Sequence, residues 1–346
     1  MKSALLGPRG LVLQEVNPPR AGPGELVVAL RACGVCGTDL EKLRGNYSAT
    51  GKIGHEPAGV VEEVGEGVLD LRKGERVFVH HHVACGKCAV CAAGTPTFCP
   101  QYQSTNIDPG GFSEKFRVPE TNVRAGAVLP LPPNVSDLEA TFVEPLGCCL
   151  EGLWSTPFRE GQKVVVLGLG PIGLLYLRLL KALGAGWIAA GDLSPFRRAA
   201  AERSGADLVF DPREEGTLRP SLDRATDGLG ADLVVVATGA PRAIAQAMGL
   251  ARRGGTVNLF GLPEKGGRLD YDLQQLYLRG LRIVPTYATT ERGTTEALRL
   301  ISLSRVKVRD LATHLFPLER AEEAFAQATR TEEAIKVIIT SGTPHP

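Results

Sequence analysis

The sequence predicts an α/β protein in which a doubly wound parallel sheet is joined to a domain of short β-strands. Three observations support this prediction. From residue 163 to residue 287, apolar runs of strand length alternate with helical segments, a rhythm that produces parallel sheets. A glycine-rich turn separates the first of these strands from its helix. Residues 1 to about 150 instead show short strands bounded by Gly and Pro turns, which predicts an irregular, partly open barrel.

The glycine-rich turn lies between two apolar strands. The run Val164–Leu167 precedes Gly168-Leu169-Gly170-Pro171-Ile172-Gly173, and a helical stretch and a second strand follow, ending at the acid Asp192. Gly168 allows the tight turn, Gly170 lets the backbone approach a pyrophosphate, and Gly173 lets the helix pack closely on the strand. The N–H groups of the helix N-terminus, which begins at Pro171 and Ile172, then face the phosphates. The pattern predicts a Rossmann-type dinucleotide-binding domain.

Asp192 is the residue predicted to select the cofactor. A carboxylate at the end of the second strand accepts hydrogen bonds from the ribose hydroxyls and repels a 2′-phosphate, so NAD is favoured over NADP. Arg197 and Arg198 follow closely and act in the opposite sense. Ser194 before Pro195 already supplies a helix cap, so Asp192 is not needed for that role.

Residues at the ends of the later strands are candidates to line the nicotinamide, because ligands bind at the carboxyl edge of a parallel sheet. Ordinary packing between strand and loop is an equally good interpretation of the same positions. These cofactor candidates are Thr238, Phe260, Gly261, Leu262 and Thr286.

Composition narrows the class of protein. The chain has 346 residues, 43% hydrophobic residues and a formal net charge of +1, which suits two globular domains. No long basic stretch indicates nucleic-acid or membrane binding, and no apolar run approaches a transmembrane span. The apolar part of the N-terminal segment is too short for a signal peptide, so a cytoplasmic location is expected. Eight cysteines then indicate metal ligands rather than disulfides.

A first group of possible metal ligands is spread over three short motifs. They are Cys36-Gly37-Thr38-Asp39, Gly54-His55-Glu56 and Val143-Glu144-Pro145. Together these motifs offer a thiolate, an imidazole and two carboxylates at Cys36, His55, Glu56 and Glu144. That donor set suits a tetrahedral zinc that keeps one position open, with Asp39 orienting a ligand.

A second group has the spacing C-x₂-C-x₂-C-x₇-C, formed by Cys85, Cys88, Cys91 and Cys99. Four cysteines in one compact lobe predict a closed structural zinc site. An iron–sulfur cluster is the alternative, and the long last gap and the dinucleotide-binding domain favour zinc. The preceding triplet His80-His81-His82 is predicted to lie in a strand, whose alternating side chains cannot all reach one ion.

The order of these motifs resembles that of the zinc-dependent medium-chain dehydrogenases/reductases, the alcohol dehydrogenase superfamily, over nearly the whole chain. The Gly37-Thr38-Asp39, His55-Glu56 and Glu144-Pro145-Leu146 motifs resemble the sorbitol (polyol) and threonine dehydrogenase branch. The resemblance implies a GroES-like catalytic domain at 1–150, with a zinc lobe at 85–99, completed by 288–346, and a Rossmann domain at 151–287. It places the active site in the cleft between the domains.

The resemblance also implies roles for individual residues. Cys36 and His55 would bind the catalytic zinc, Glu56 would be a ligand or a near neighbour, and Glu144 would be a ligand or hold the zinc-bound water. Thr38 would contact the substrate hydroxyl and pass on its proton. The expected cofactors are NAD and two Zn²⁺ per chain, and the expected assembly is a dimer or tetramer.

One position departs from the family pattern. Many relatives carry a His five residues after the catalytic cysteine, where this chain has Glu41, which disfavours threonine as substrate. We therefore expect a zinc- and NAD-dependent oxidation of a polyol or sugar-like secondary alcohol, with L-threonine or another alcohol as the alternative. A zinc-free reductase and a non-catalytic NAD-binding protein are the remaining alternatives. The substrate walls are predicted near Tyr47, Gln101, Phe112 and Tyr287.

Overall fold

The structure is a computed structural model that describes residues 1–8, 10–46, 51–214 and 216–342. The chain divides into two compact units. The first unit comprises Met1–Gly147, Ala288–Arg330 and Ala334–Pro346, and the second comprises Cys148–Tyr287 and Thr331–Glu333. Tyr47, one of the predicted substrate walls, lies outside the described residues.

The strands are numbered in chain order. They are β1 (Lys2–Gly7), β2 (Gly10–Glu15), β3 (Leu26–Gly34), β4 (Pro57–Val64), β5 (Arg76–Val79), β6 (Lys115–Val118), β7 (Val128–Pro130), β8 (Lys163–Leu167), β9 (Trp187–Gly191), β10 (Leu208–Phe210), β11 (Ala231–Val236), β12 (Ala251–Leu259), β13 (Arg282–Pro285), β14 (Ala312–Pro317) and β15 (Lys336–Thr340).

The α-helices are numbered in the same way. They are α1 (Gly37–Leu43), α2 (Ala89–Ala92), α3 (Pro100–Ser104), α4 (Glu120–Arg124), α5 (Asp137–Ala140), α6 (Val143–Trp154), α7 (Pro171–Ala182), α8 (Pro195–Arg203), α9 (Leu218–Thr226), α10 (Pro241–Leu250), α11 (Leu273–Arg279), α12 (Glu291–Ser302) and α13 (Ala321–Ala328). Short 3₁₀ turns lie at Pro96–Phe98, Arg309–Leu311 and Leu318–Arg320. None of the described helices is long and apolar enough to cross a membrane.

The first unit is built on a mixed sheet. Its strands follow the order β14-β15-β3-β4-β5-β7, β6 also pairs with β3, and β1 and β2 form a separate antiparallel pair. The long strand β3 is the centre of this sheet, because it pairs with β15, β4 and β6. Its inward residues, such as Leu26, Val28 and Leu30, are buried in an apolar core that also contains Phe112 and Phe116. These short, turn-bounded strands match the predicted β-rich domain.

The second unit carries the predicted doubly wound sheet. Its strand order is β10-β9-β8-β11-β12-β13 and every neighbouring pair is parallel, which is the order of a dinucleotide-binding fold. The central strands β8 and β11 read as continuous apolar runs because helices cover both faces of such a sheet. Their residues Val164 to Leu167 and Leu233 to Val236 are at most 1% exposed.

The sequence pattern near residues 241 to 251 predicts an amphipathic helix that stops at Gly254-Gly255. The helix is confirmed as α10, but it ends at Leu250, and β12 begins at Ala251. The pattern at Leu269–Leu273 is compatible with a strand that extends a sheet across subunits, but Asp272 instead caps α11 by accepting a hydrogen bond from the Gln274 N–H at 2.8 Å. Leu281–Val284 has the same pattern and overlaps β13, and its role between subunits stays a prediction. No sequence pattern indicated β14.

A buried polar network joins α7 to the sheet. The Tyr176 hydroxyl donates to Asn258 Oδ1 at 3.0 Å, and Asn258 Nδ2 donates to Thr286 Oγ1 at 2.7 Å and to the Val284 carbonyl at 3.1 Å. Tyr176 and Asn258 are fully buried. The Tyr176 ring also packs edge-on against Phe260 at 5.5 Å between centroids.

We expect Tyr176→Phe to lower the free energy of unfolding of the second unit by about 1–3 kcal/mol, because a buried acceptor on Asn258 loses its donor. Tyr277→Phe is the matched control, since Tyr277 is 84% exposed. Both tryptophans, Trp154 and Trp187, belong to the second unit, so their fluorescence during urea unfolding measures the effect. Equal stabilities of the two variants would contradict the role given to the network.

Candidate metal centres and dinucleotide turn

The first unit brings three of the predicted metal ligands together. Cys36 stands immediately before α1, and His55 and Glu56 immediately precede β4. One ligand atom from each of these three residues lies within 4.8 Å of the other two. His55 and Glu56 are buried and Cys36 is half-buried. A thiolate, an imidazole and a carboxylate at this separation form a donor set that fits zinc.

Asp39 holds this group in place. Its Oδ2 accepts a hydrogen bond from the Cys36 N–H at 3.1 Å, its Oδ1 accepts one from the Gly54 N–H at 3.2 Å, and His55 Nδ1 lies 3.3 Å from Oδ1. Because Nδ1 faces the carboxylate, Nε2 is the ring nitrogen left for a metal. Burial lowers the pKa of His55, but the charges of Asp39 and Cys36 outweigh burial and raise that pKa well above its ordinary value. Metal binding at this ring therefore releases a proton.

Glu56 has a second partner that sequence patterns did not reveal. Its Oε2 forms an ion pair with the Lys336 ammonium at the start of β15, and both side chains are almost completely buried. Burial lowers the pKa of Lys336, and the neighbouring Glu56 carboxylate more than reverses this effect. The negative charge of Glu56 is thus balanced within the protein.

Glu144 and Thr38 are placed differently. Glu144 is buried near the start of α6, but the structure does not bring it into the group formed by Cys36, His55 and Glu56. Its role as a ligand stays a prediction. Thr38 is half-buried in the first turn of α1, two residues after Cys36, and its proton-transfer role also stays a prediction.

The histidine triplet does not lie in a strand, so that prediction is wrong. The strand β5 ends at Val79, immediately before the triplet. The alternation expected of strand residues therefore does not apply. The His81 ring lies 5.1 Å from the His55 ring and 3.9 Å from the His82 ring, between centroids. Burial, with the charge of His82, lowers the pKa of His80 to about 3, and burial lowers that of His82 to about 4. Both rings are neutral at pH 7.

Phe112 was predicted to line the substrate pocket, and this prediction is wrong. Its side chain is fully buried and packs against Phe325, with 5.5 Å between ring centroids. It is part of the core of the first unit.

The cysteine lobe forms the second donor group. The Sγ atoms of Cys85, Cys88, Cys91 and Cys99 lie within 4.8 Å of one another, and four of the separations are 3.6, 3.6, 3.7 and 4.0 Å. A tetrahedron with Zn–S bonds of about 2.3 Å has S–S edges of about 3.8 Å, so the four sulfurs fit a zinc ion. Backbone N–H groups, first that of Cys85, lower the pKa of Cys99 to about 6, which favours the thiolate that a metal requires.

The dinucleotide turn joins β8 to α7. Gly168 has φ +88°, and a Cβ on Gly173 would lie 1.8 Å from the Gly168 carbonyl oxygen, so both positions require glycine. A Cβ on Gly170 would approach nothing closer than Arg197 Nη1 at 3.6 Å. The backbone of Gly170 is therefore open to a ligand at the N-terminus of α7, where Pro171 is the first helical residue. This cradle fits a pyrophosphate.

Asp192 lies against the same turn. Its Oδ2 accepts a hydrogen bond from the Leu169 N–H at 2.6 Å and its Oδ1 accepts one from the Ser194 N–H at 2.8 Å. Ser194 caps α8, as predicted. The carboxylate is thus fixed beside the glycine turn, and each oxygen keeps a lone pair for another donor.

The other cofactor candidates lie at the carboxyl edge of the sheet. Thr238 follows β11, Phe260 to Leu262 follow β12, and Thr286 follows β13. A Cβ on Gly261 would lie 2.1 Å from the Thr238 carbonyl carbon, so these two strand ends pack tightly together. Leu262 is 53% exposed. Contact of any of these residues with a cofactor stays a prediction.

Comparison with known proteins agrees with this fold. Residues 22–132 match the alcohol dehydrogenase GroES-like domain, and residues 171–303 match the zinc-binding dehydrogenase domain. These matches and the two metal-donor groups define a class of two-domain, zinc-dependent oxidoreductases.

Individual relatives cover most of the chain. It is 34% identical over 328 residues to an L-threonine 3-dehydrogenase of Pyrococcus furiosus, covering 91% of each chain. It is 30% identical to a sorbitol dehydrogenase of Halalkalibacterium halodurans, covering 95% of each. The solved alcohol dehydrogenase TADH of Thermus sp. ATN1 superposes with a TM-score of 0.87 at 29% identity, covering 99% of this chain and all of the other. The chain therefore belongs to the zinc-dependent medium-chain dehydrogenases/reductases, and the predicted GroES-like and Rossmann folds are confirmed.

We expect Asp39→Asn to weaken zinc binding at the Cys36–His55–Glu56 group by about 10- to 100-fold, the usual effect of removing a carboxylate that orients a ligand histidine. Asp70→Asn, at an exposed position, is the control. Zinc retained after dialysis against graded chelator concentrations measures the change. Identical zinc retention in the two variants would contradict the orienting role of Asp39.

We expect Cys88→Ser to remove the zinc of the cysteine lobe, so that the purified chain holds one metal fewer and melts at a lower temperature. Lys87→Ala is the control, because Lys87 is exposed in the same lobe and its backbone is unchanged. Metal analysis and calorimetry are the measurements. Unchanged zinc content in Cys88→Ser would show that the lobe does not bind metal.

Proposed function

We propose that this chain oxidises a secondary alcohol to a ketone with NAD, and that its substrate is a polyol or sugar-like alcohol. The observation that carries the proposal is the Cys36–His55–Glu56 donor group, with His55 oriented by Asp39. When bound, zinc supplies Lewis acidity toward the hydroxyl and NAD supplies the hydride acceptor. Cys36, His55 and Glu56 would hold the metal.

The remaining groups of the chain handle protons and charge. The Thr38 hydroxyl, two residues from Cys36, is proposed to accept the substrate proton, and no other described residue is hydrogen-bonded to it. Lys336 balances the charge of Glu56. The donor residues, Lys336 and a bound divalent metal would therefore carry no net negative charge together. The neutral rings of His80 and His82 add no positive charge near the site at pH 7.

The names of the relatives support a shared substrate chemistry. Threonine and sorbitol, the substrates named for two of them, both carry a polar group on the carbon next to a secondary alcohol. That group is an amine in threonine and a hydroxyl in sorbitol. We therefore propose a vicinally substituted secondary alcohol.

L-Threonine is the second candidate, supported by the 34% identity to the Pyrococcus furiosus enzyme. Glu41 argues against it, since its carboxylate accepts hydrogen bonds from Arg44 Nη1 at 2.7 Å and from Asn46 Nδ2 at 2.8 Å. A carboxylate with these partners acts only as a hydrogen-bond acceptor. It therefore does not replace the imidazole that many relatives carry at this position.

Asp192 supports NAD over NADP. Its carboxylate is fixed beside the turn by two backbone N–H groups, so it cannot readily move away from a 2′-phosphate. Arg197 lies close to Gly170, and Arg198 Nη1 donates to the Asp192 carbonyl at 2.7 Å; these two guanidinium groups would favour the phosphate.

The test is NADH formation by the zinc-loaded chain with sorbitol, xylitol, galactitol, glucose, L-threonine and butane-2,3-diol, repeated with NADP and after chelation. We expect chelator-sensitive turnover of a polyol with NAD. Selective turnover of threonine would keep the mechanism and replace the substrate. No turnover of any alcohol by a chain that binds two zinc ions would refute the substrate class.

In the same assay, Thr38→Val is expected to lower kcat by about 10²–10⁴-fold, the usual contribution of a positioned proton-transfer group. Thr38→Ser keeps the hydroxyl and is the control. Comparable kcat values for Thr38→Val and Thr38→Ser would exclude Thr38 from the proton path.

A further inference from the structure

A cavity of about 260 Å³ lies at the edge of the parallel sheet opposite the glycine turn. Its walls come from residues near the starts of three strands, with the loop that precedes β8. These residues are Asp232 and Leu233 of β11, Arg252, Gly254 and Thr256 of β12, and Arg282 of β13. Gly168 follows the carboxyl end of β8, and the cavity lies at the amino ends of the strands. All of its lining residues belong to the second unit.

An irregularity in β12 shapes this cavity. In the pairing with β11, Ala251 lies opposite Ala231 and Thr256 lies opposite Leu233, so four residues of β12 stand against the single residue Asp232. Gly254, within this bulge, has φ +68°. Bulges of this kind re-aim side chains beside functional sites. Here the bulge brings Arg252 to the cavity.

Two hydrogen bonds to neighbouring groups hold the Arg252 side chain at the cavity. Its Nε lies 2.6 Å from Asp232 Oδ1, and its Nη1 donates to the Arg253 carbonyl at 2.8 Å. The other oxygen of Asp232 accepts a hydrogen bond from the Lys163 N–H at 2.8 Å. The only carboxylate among the lining residues is thus already engaged by two donors.

Three other polar side chains of the cavity keep free donors, whereas the Thr156 hydroxyl donates to the Leu153 carbonyl at 2.8 Å. Arg159 and Arg282 line it and form no ion pair or side-chain hydrogen bond with any described residue. Gln162 Oε1 accepts a hydrogen bond from the Arg159 N–H at 3.1 Å, so the Gln162 amide NH₂ group is left to donate. Three guanidinium groups and one carboxylate give the lining a net charge of +2.

We propose that this cavity binds a small molecule with a terminal phosphate or carboxylate, held between Arg159, Arg252 and Arg282. Guanidinium groups bind such planar or tetrahedral oxyanions through paired, charge-assisted hydrogen bonds. Pro157 and Phe158 supply an apolar wall for a short carbon chain. The cavity is below the range of about 300–1,000 Å³ typical of sites for larger ligands, so the ligand is short and is not a dinucleotide.

The experiment measures binding of inorganic phosphate and of succinate to the full chain by calorimetry, with sodium chloride at matched ionic strength as the reference. Arg159→Gln/Arg282→Gln is the test variant, since neither side chain has a partner within the described residues to lose. Arg253→Gln is the control, because Arg253 is exposed beside the bulge but does not line the cavity.

We expect saturable binding by the unaltered chain and by Arg253→Gln, and binding at least about tenfold weaker in the double variant, as expected for the loss of charge-assisted hydrogen bonds. Tighter binding of phosphate than of succinate would identify a phosphate ester as the ligand class, and the reverse would identify a carboxylate. Equal binding by all three proteins, or no binding beyond that in chloride, would overturn the proposal.

NADH binding, followed by fluorescence in the same proteins, separates this proposal from the proposed function. The double variant is expected to bind NADH as the unaltered chain does, because the two sites lie at opposite edges of the sheet. Failure of all three proteins to bind NADH would contradict the proposed dehydrogenase function. The measurements of phosphate and succinate binding would still test the anion site independently.

Discussion

The carboxylate of Asp39 is the constraint on which the candidate metal centre depends. It is fully buried, and an unpaired charge in such a position would be very costly. Its two oxygens are instead engaged by two backbone N–H groups and the His55 ring. Those contacts join the start of α1 to the loop before β4, so the positions of Cys36 and His55 are coupled. The carboxylate thereby fixes both a thiol and an imidazole without itself facing the metal.

The second buried charge pair at this centre connects distant parts of the chain. Glu56 precedes β4 and Lys336 begins β15, and both strands pair with β3. The antiparallel pairing of β15 and β4 with β3 is therefore what allows the ammonium to reach the carboxylate. A Cβ on Gly34, at the end of β3, would lie 1.9 Å from Glu56 Oε2 and 2.6 Å from Lys336 Cε. The absence of a side chain at Gly34 is a condition for this pair.

Local spacing was sufficient to predict part of this molecule. The cysteine lobe and the glycine turn are short segments in which neighbours in sequence are also neighbours in space, so their geometry follows from residue order. Groups assembled from distant segments were less predictable. The Glu56–Lys336 pair spans 280 residues, and the contact of His81 with His55 depends on where β5 ends. No local pattern marks either one. The bulge in β12 was missed for a related reason. The pair Gly254-Gly255 is equally compatible with the end of a helix and with a bulge in a strand.

The two edges of the parallel sheet differ in what the backbone can contribute. The helix α7 begins at the carboxyl edge, where its unpaired N–H groups and the positive end of its dipole favour a phosphate. Helices of such a sheet end at the amino edge, where their carbonyl groups and negative dipole ends disfavour an anion. Any attraction for an anion at the amino edge must therefore come from side chains. Arg159, Arg252 and Arg282 are the cationic side chains of that cavity, so binding there depends on guanidinium groups, whereas binding at the glycine turn depends mainly on the backbone.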